Sequence, residues 1–102
     1  MKEIKELEDH IGEELHDAKK YIKCALHYKE ENKELADLYA TLSQEEMGHM
    51  EKLHKMAVSM IEEYRKEHGE PPADMLAVYN YVHEKHINKA KEVKMMIAMY
   101  KE

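Results

Sequence analysis

Leu42-Ser-Gln-Glu-Glu-Met-Gly-His-Met-Glu-Lys-Leu53 lies in a stretch, residues 33–68, that carries no proline and one glycine. Around it Leu35, Tyr39, Leu42, Leu53, Met56 and Met60 recur in steps of three and four, with Glu46 and His49 in the two places between. Upstream the same spacing joins Ile4, Leu7, Ile11, Glu14, Ala18, Tyr21, Ala25 and Tyr28. Such steps put each series on one side of an α-helix. Glu14, Glu46 and His49 are therefore expected at a helix–helix seam, where an unpaired carboxylate is costly. A metal ion is the simplest group that compensates them.

The composition agrees with long helices. Of 102 residues 37% are charged, there are two prolines and three glycines, and Phe and Trp are absent, a profile of salt-laced helices rather than sheets. The length suits one domain, 1–102. The net charge is −6 with both signs interleaved, so no basic stripe tracks phosphates and nucleic acid is not an expected partner. No apolar run approaches the roughly 18 residues of a membrane span, and no signal-type segment opens the chain. The single cysteine, Cys24, reads as a packing residue; with no disulfide available, the expected setting is cytoplasmic.

The expected fold class is all-α, a long antiparallel helical hairpin plus a third helix. The helices are predicted at about 2–31, 33–68 and 72–101. Asn32 marks the first break. His68-Gly69-Glu70-Pro71-Pro72 marks the second, with a glycine suited to a helix C-terminus and a proline to the first turn of the next helix. Helix 2 would be about 50 Å long at about 1.5 Å per residue. Two such helices cannot bury all their apolar surface against each other, so a four-helix arrangement completed by a second chain is expected.

With the turn at Asn32, Glu14 lies about 27 Å from it, Glu46 about 21 Å and His49 about 26 Å. All three thus converge on one level. Glu46 and His49, spaced i and i+3, can reach one ion. Two other Glu-x-x-His strings, Glu13 with His16 and Glu51 with His54, fall off the apolar stripe and read as solvated pairs. One chain offers two carboxylates and one imidazole; two chains offer four and two, a set that two divalent cations would neutralise. A homodimer or higher homo-oligomer with two divalent metal ions per dimer is the corresponding expectation.

Glu14-Leu-His-Asp-Ala-Lys-Lys-Tyr21, Lys29-Glu-Glu-Asn-Lys-Glu-Leu-Ala36 and Ser43-Gln-Glu-Glu-Met-Gly-His49 together resemble the first helix pair of ferritin-like proteins, the rubrerythrin type above all. The resemblance spans residues 10 to 57. It implies a ferritin-like four-helix bundle, with Glu14 as first-helix ligand, Glu46 as the carboxylate shared between metals and His49 as terminal ligand. It also implies that Tyr21 or Tyr39 hydrogen-bonds a ligand carboxylate. The third helix carries no Glu-x-x-His and the chain has no Cys-x-x-Cys pair. What remains is similar to the short encapsulated ferritins, in which two chains pool half-sites, although their C-terminal shell-targeting peptide is not recognisable in Ile97-Ala-Met-Tyr-Lys-Glu102. The implied metal is iron, while the ligand types also accept manganese or zinc.

Other residues read more plainly. His10, one turn before Glu14, is a candidate partner of that ligand, an alternative ligand, or a surface residue. His83-Glu84-Lys85-His86 reads as an exposed polar patch. Gly12 and Gly48, inside predicted helices, fit either a close approach near the metals or an unrelated tight contact. The methionines suit a core or an adaptable interface, and Val93, Met96, Ile97 and Tyr100 should dock on the hairpin or on a partner.

Three functions compete. The leading one is a di-iron carboxylate protein with ferroxidase or peroxide-reducing activity, its small-molecule substrate being O2 or peroxide. The others are a non-catalytic helical oligomerisation or adaptor module, with Glu14 and His49 as a plain ion pair, and metal storage or buffering without turnover.

Overall fold

The computed structural model describes residues 2–102. Three helices account for nearly all of them: α1 (Lys2–Tyr28), α2 (Lys33–His68) and α3 (Ala73–Lys101). They form an elongated bundle of 55 × 19 × 18 Å. α1 and α2 make the expected hairpin. α3 runs back alongside α1 in the same direction, as the pairings Glu8–His86, Lys19–Glu92 and Lys29–Met99 require. No helix among the described residues is long and apolar enough to cross a membrane.

The turns explain where the helices stop. The amides of Glu31 and Asn32 both donate to the Tyr28 carbonyl, at 3.1 and 2.8 Å. This closes α1 three residues before the sequence pattern suggests. The Asn32 side chain then accepts from the Leu35 amide at 3.1 Å and caps α2, as short polar residues do. At the far end Gly69 adopts φ 78°, a left-handed conformation that glycine reaches without a Cβ clash. Pro72 is extended and precedes the first helical residue of α3.

The buried seam differs by one residue from the expected stripe. In α1 it consists of Ile4, Glu8, Ile11, Leu15, Ala18, Ile22 and Ala25. Leu7, Glu14, Tyr21 and Tyr28 occupy a half-buried track beside it. In α2 the seam is Ala36, Ala40, Ser43, Met47, Met50, Ala57 and Ile61. The predicted series there is displaced outward, with Leu35, Tyr39, Leu42, Glu46 and Leu53 half-buried and Met56 exposed. The cause is size. Ala18, Ala25, Ala36, Ala40 and Ser43 let the two helices approach closely, and the Ser43 hydroxyl donates to the Ala18 carbonyl at 2.7 Å. Larger apolar side chains are displaced to the flank.

α3 docks on its own hairpin. Val93 is fully buried, and Met96, Ile97 and Tyr100 pack against the same core. The Tyr100 hydroxyl donates to Asp37, and Lys33 lies 5.0 Å from its ring centre, tying the end of α3 to the start of α2. The outer face of α3 leaves Val78, Tyr81, Met95 and Met99 exposed.

Candidate metal centre

Glu14 enters from the middle of α1, and Glu46 and His49 from the middle of α2. Glu14 and Glu46 stand on the half-buried flank of the hairpin, and His49 is exposed beside them. One ligand-type atom from each lies within 4.8 Å of the others. His49 Nδ1 is 3.5 Å from Glu14 Oε2 and 3.5 Å from Glu46 Oε1. The side chains of Glu14 and Glu46 are 26% and 20% exposed and that of His49 is 57% exposed. The cluster thus lies at the rim of the seam rather than in its centre.

Two features mark the cluster as electrostatically incomplete. Glu14 Oε2 is buried without a hydrogen-bond partner. Glu46 is pushed up to about 7, first by its hydrogen bond to the Glu14 carboxyl, then by burial and by repulsion from Glu14, with His49 pulling weakly the other way. Two carboxylates are pressed together beside one exposed imidazole, so near neutral pH Glu46 holds its proton part of the time. This donor set fits a divalent metal. Ligands about 2.1 Å from one ion lie at most about 4.2 Å apart, so the three groups need close only slightly.

A pH dependence follows from that carboxyl. A folded-state value above the unfolded one stabilises the metal-free chain fully below about pH 4.5, and that contribution is lost as the pH rises through about 7. The thermal midpoint of metal-free wild type, relative to Glu46→Gln, should therefore fall between pH 5 and pH 8. A constant difference would show that Glu46 is not under this strain.

The tyrosines named from sequence pack differently. Tyr21 and Tyr28 each stack on Tyr39 with ring centres 6.2 Å apart. Among the described residues neither Tyr21 nor Tyr39 hydrogen-bonds a ligand carboxylate; they form an aromatic ladder from the cluster toward the turn. His10 is exposed and faces Glu13 at 3.5 Å, not Glu14. Nothing lies within 4 Å of a Cβ built on Gly48, whereas one on Gly12 would meet His86 Nε2 at 3.4 Å. Gly12 thus faces His86 of α3 rather than the cluster.

No family model, curated protein or solved structure matches this chain. The case for the centre therefore stands on its own geometry and charge.

Sequence reasoning missed a second pair. The stretch around His83 and His86 is not an exposed patch. His83 is half-buried and stacks on His54 and on Tyr79, with ring centres 5.1 and 5.7 Å away. His54 is correspondingly half-buried rather than a solvated partner of Glu51. His86 Nδ1 lies 2.9 Å from Oε2 of the buried Glu8. Glu8 has polar chain neighbours but shares the seam track with Ile4 and Ile11, and α3 brings His86 to it.

Proposed function

We propose that this chain is a ferritin-like di-metal carboxylate protein that oxidises Fe(II) with O2 or peroxide, its centre formed by Glu14, Glu46 and His49 from each of two chains. The observation that carries the reading is the Glu14–Glu46 pair, crowded enough to retain a proton near neutral pH and flanked by a histidine nitrogen. Iron is the metal that the resemblance to ferritin-like chains favours.

The dimer is supported by the surroundings of the cluster. Leu7, Tyr21, Tyr28, Tyr39, Leu42 and Leu53 form a half-buried apolar flank with the three ligands near its middle. A second hairpin laid on this flank gives a four-helix bundle, covers His49 and supplies the second set of ligands. Four carboxylates then balance two divalent cations.

The chain's own groups have definable tasks. Glu46 would give up its proton as the site loads. His49 presents a nitrogen to the same ion, and the apolar flank restricts water. Two Fe(II) bound there as substrate would give up one electron each, which with two protons would reduce one peroxide to two waters. The test is oxygen or peroxide consumption on anaerobic loading with Fe(II) followed by mixing with oxidant. Catalytic consumption with repeated turnover supports the proposal. Stoichiometric binding without consumption identifies storage instead, and no binding identifies a helical adaptor.

A further inference from the structure

α3 is apolar on more than one side. Val93 and Tyr100 are buried and Tyr79, Val82 and Met96 half-buried, yet Val78, Tyr81, Met95 and Met99 are 64%, 62%, 61% and 50% exposed. A helix with apolar residues all round is ordinarily covered all round, and large apolar side chains gathered on one face mark an interaction surface. Here the face reads Val78, Tyr81, Lys85, Asn88, Glu92, Met95 and Met99, in alternating steps of three and four. It is apolar at both ends and polar in the middle. Beside its first end lies a groove of about 550 Å³ between α1 and α3, whose apolar walls are Ile4, Met75, Val78, Tyr79 and Val82. Two lysines and three acids complete that lining, so the charges nearly offset and the groove suits an apolar occupant. At the other end Met95 and Met99 project into solvent, long and flexible enough to fill such an irregular gap.

We propose that this face pairs with the same face of a second copy, the two α3 helices running antiparallel about a twofold axis near Asn88, with each chain's Met95 and Met99 set against the other's groove. Val78 then meets the partner's Met99, Tyr81 meets the partner's Met95, and Lys85 meets the partner's Glu92. Such a contact is self-complementary, as a twofold interface requires. Charge fixes the direction. Residues 73–87 carry two acids and one lysine, whereas residues 88–101 carry four lysines and one acid, net −1 and +3. Antiparallel pairing sets unlike halves together, and parallel pairing would set like against like. Lys85 lies over the Tyr81 ring at 5.0 Å. Glu92 binds Lys19 at 2.7 Å yet leaves its side chain 41% exposed, which gives it room for a second cation. The contact uses none of the residues of the Glu14–Glu46–His49 flank, so it stands independently of the metal reading.

Disulfide trapping tests the arrangement. Positions 78 and 99 of one chain are about 32 Å apart along the helix at about 1.5 Å per residue, whereas a disulfide needs Cα atoms within about 7 Å. A bond between them therefore joins two chains. In a metal-free Cys24→Ala chain, Val78→Cys combined with Met99→Cys should give a covalent dimer on mild oxidation, with position 78 joined to position 99 by peptide mass. The single variants, able to join only 78 to 78 or 99 to 99, should give at least tenfold less dimer. Adding Tyr81→Lys and Met95→Lys to the cysteine pair should lower its yield at least tenfold at unchanged helicity, since both side chains are exposed in the single chain. Bonds only between like positions would overturn the antiparallel pairing. A yield no higher than that of the single variants, or one unmoved by the lysines, would overturn the proposal and assign this face to a different molecule.

Discussion

Glu46→Ala is expected to abolish metal at the Glu14–Glu46–His49 cluster and to leave Fe(II)-dependent oxygen or peroxide consumption at background. The reason is its place among the three proposed ligands: it lies 3.5 Å from His49 Nδ1 and hydrogen-bonds the Glu14 carboxyl. Its removal takes away half the carboxylate charge of each chain's contribution. The metal-free fold should survive, because the substitution also relieves a repulsion between two partly buried acids. Glu51→Ala is the matched control. It removes a carboxyl group from an exposed position five residues further along α2, and should leave metal content unchanged. Elemental analysis of both variants decides the matter. Full metal occupancy at the cluster in Glu46→Ala would remove Glu46 from the ligand set.

The second large effect is on stability. Ile22 is completely buried in the α1 seam, whereas its neighbour Tyr21 stands on the half-exposed flank. Ile22→Ala should cost about 2–5 kcal/mol, the range for truncating a buried isoleucine, read as a lowered urea midpoint at unchanged slope. Tyr21→Ala should cost the isolated chain less and should act chiefly on association, because its ring belongs to the surface that the second hairpin is proposed to cover. The reverse order would place the seam on the track that spacing alone suggests.

That displaced seam shows which parts of the structure are local in the sequence. The helices and turns are local: Asn32, Gly69 and the Pro71-Pro72 pair act on their own neighbours, so the three helices fall within a few residues of expectation. The meeting of Glu14, Glu46 and His49 is nearly as local, because helical rise and one turn position fix their common height. The identity of the buried track is not local. Steps of three and four define adjacent tracks equally well, and hydropathy favours the one with leucines and tyrosines. Close helix approach instead favours the one with Ala18, Ala36, Ala40 and Ser43. Glu8 and His86 were less legible still. Their meeting depends on the axial register of α3 against α1, which is set by Val93, Tyr100 and the Lys19–Glu92 pair at 2.7 Å, none of them near Glu8 in the chain.

The account depends most on the pooling of the Glu14, Glu46 and His49 half-sites by two chains around a pair of ions. Native mass spectrometry of the chain loaded anaerobically with Fe(II) measures chain number and metal number together. The predicted species is two chains with two irons, reverting to single chains or metal-free dimers on chelation. A monomer that binds no iron, or a dimer whose iron content is the same in the added presence of Glu46→Ala, would contradict it.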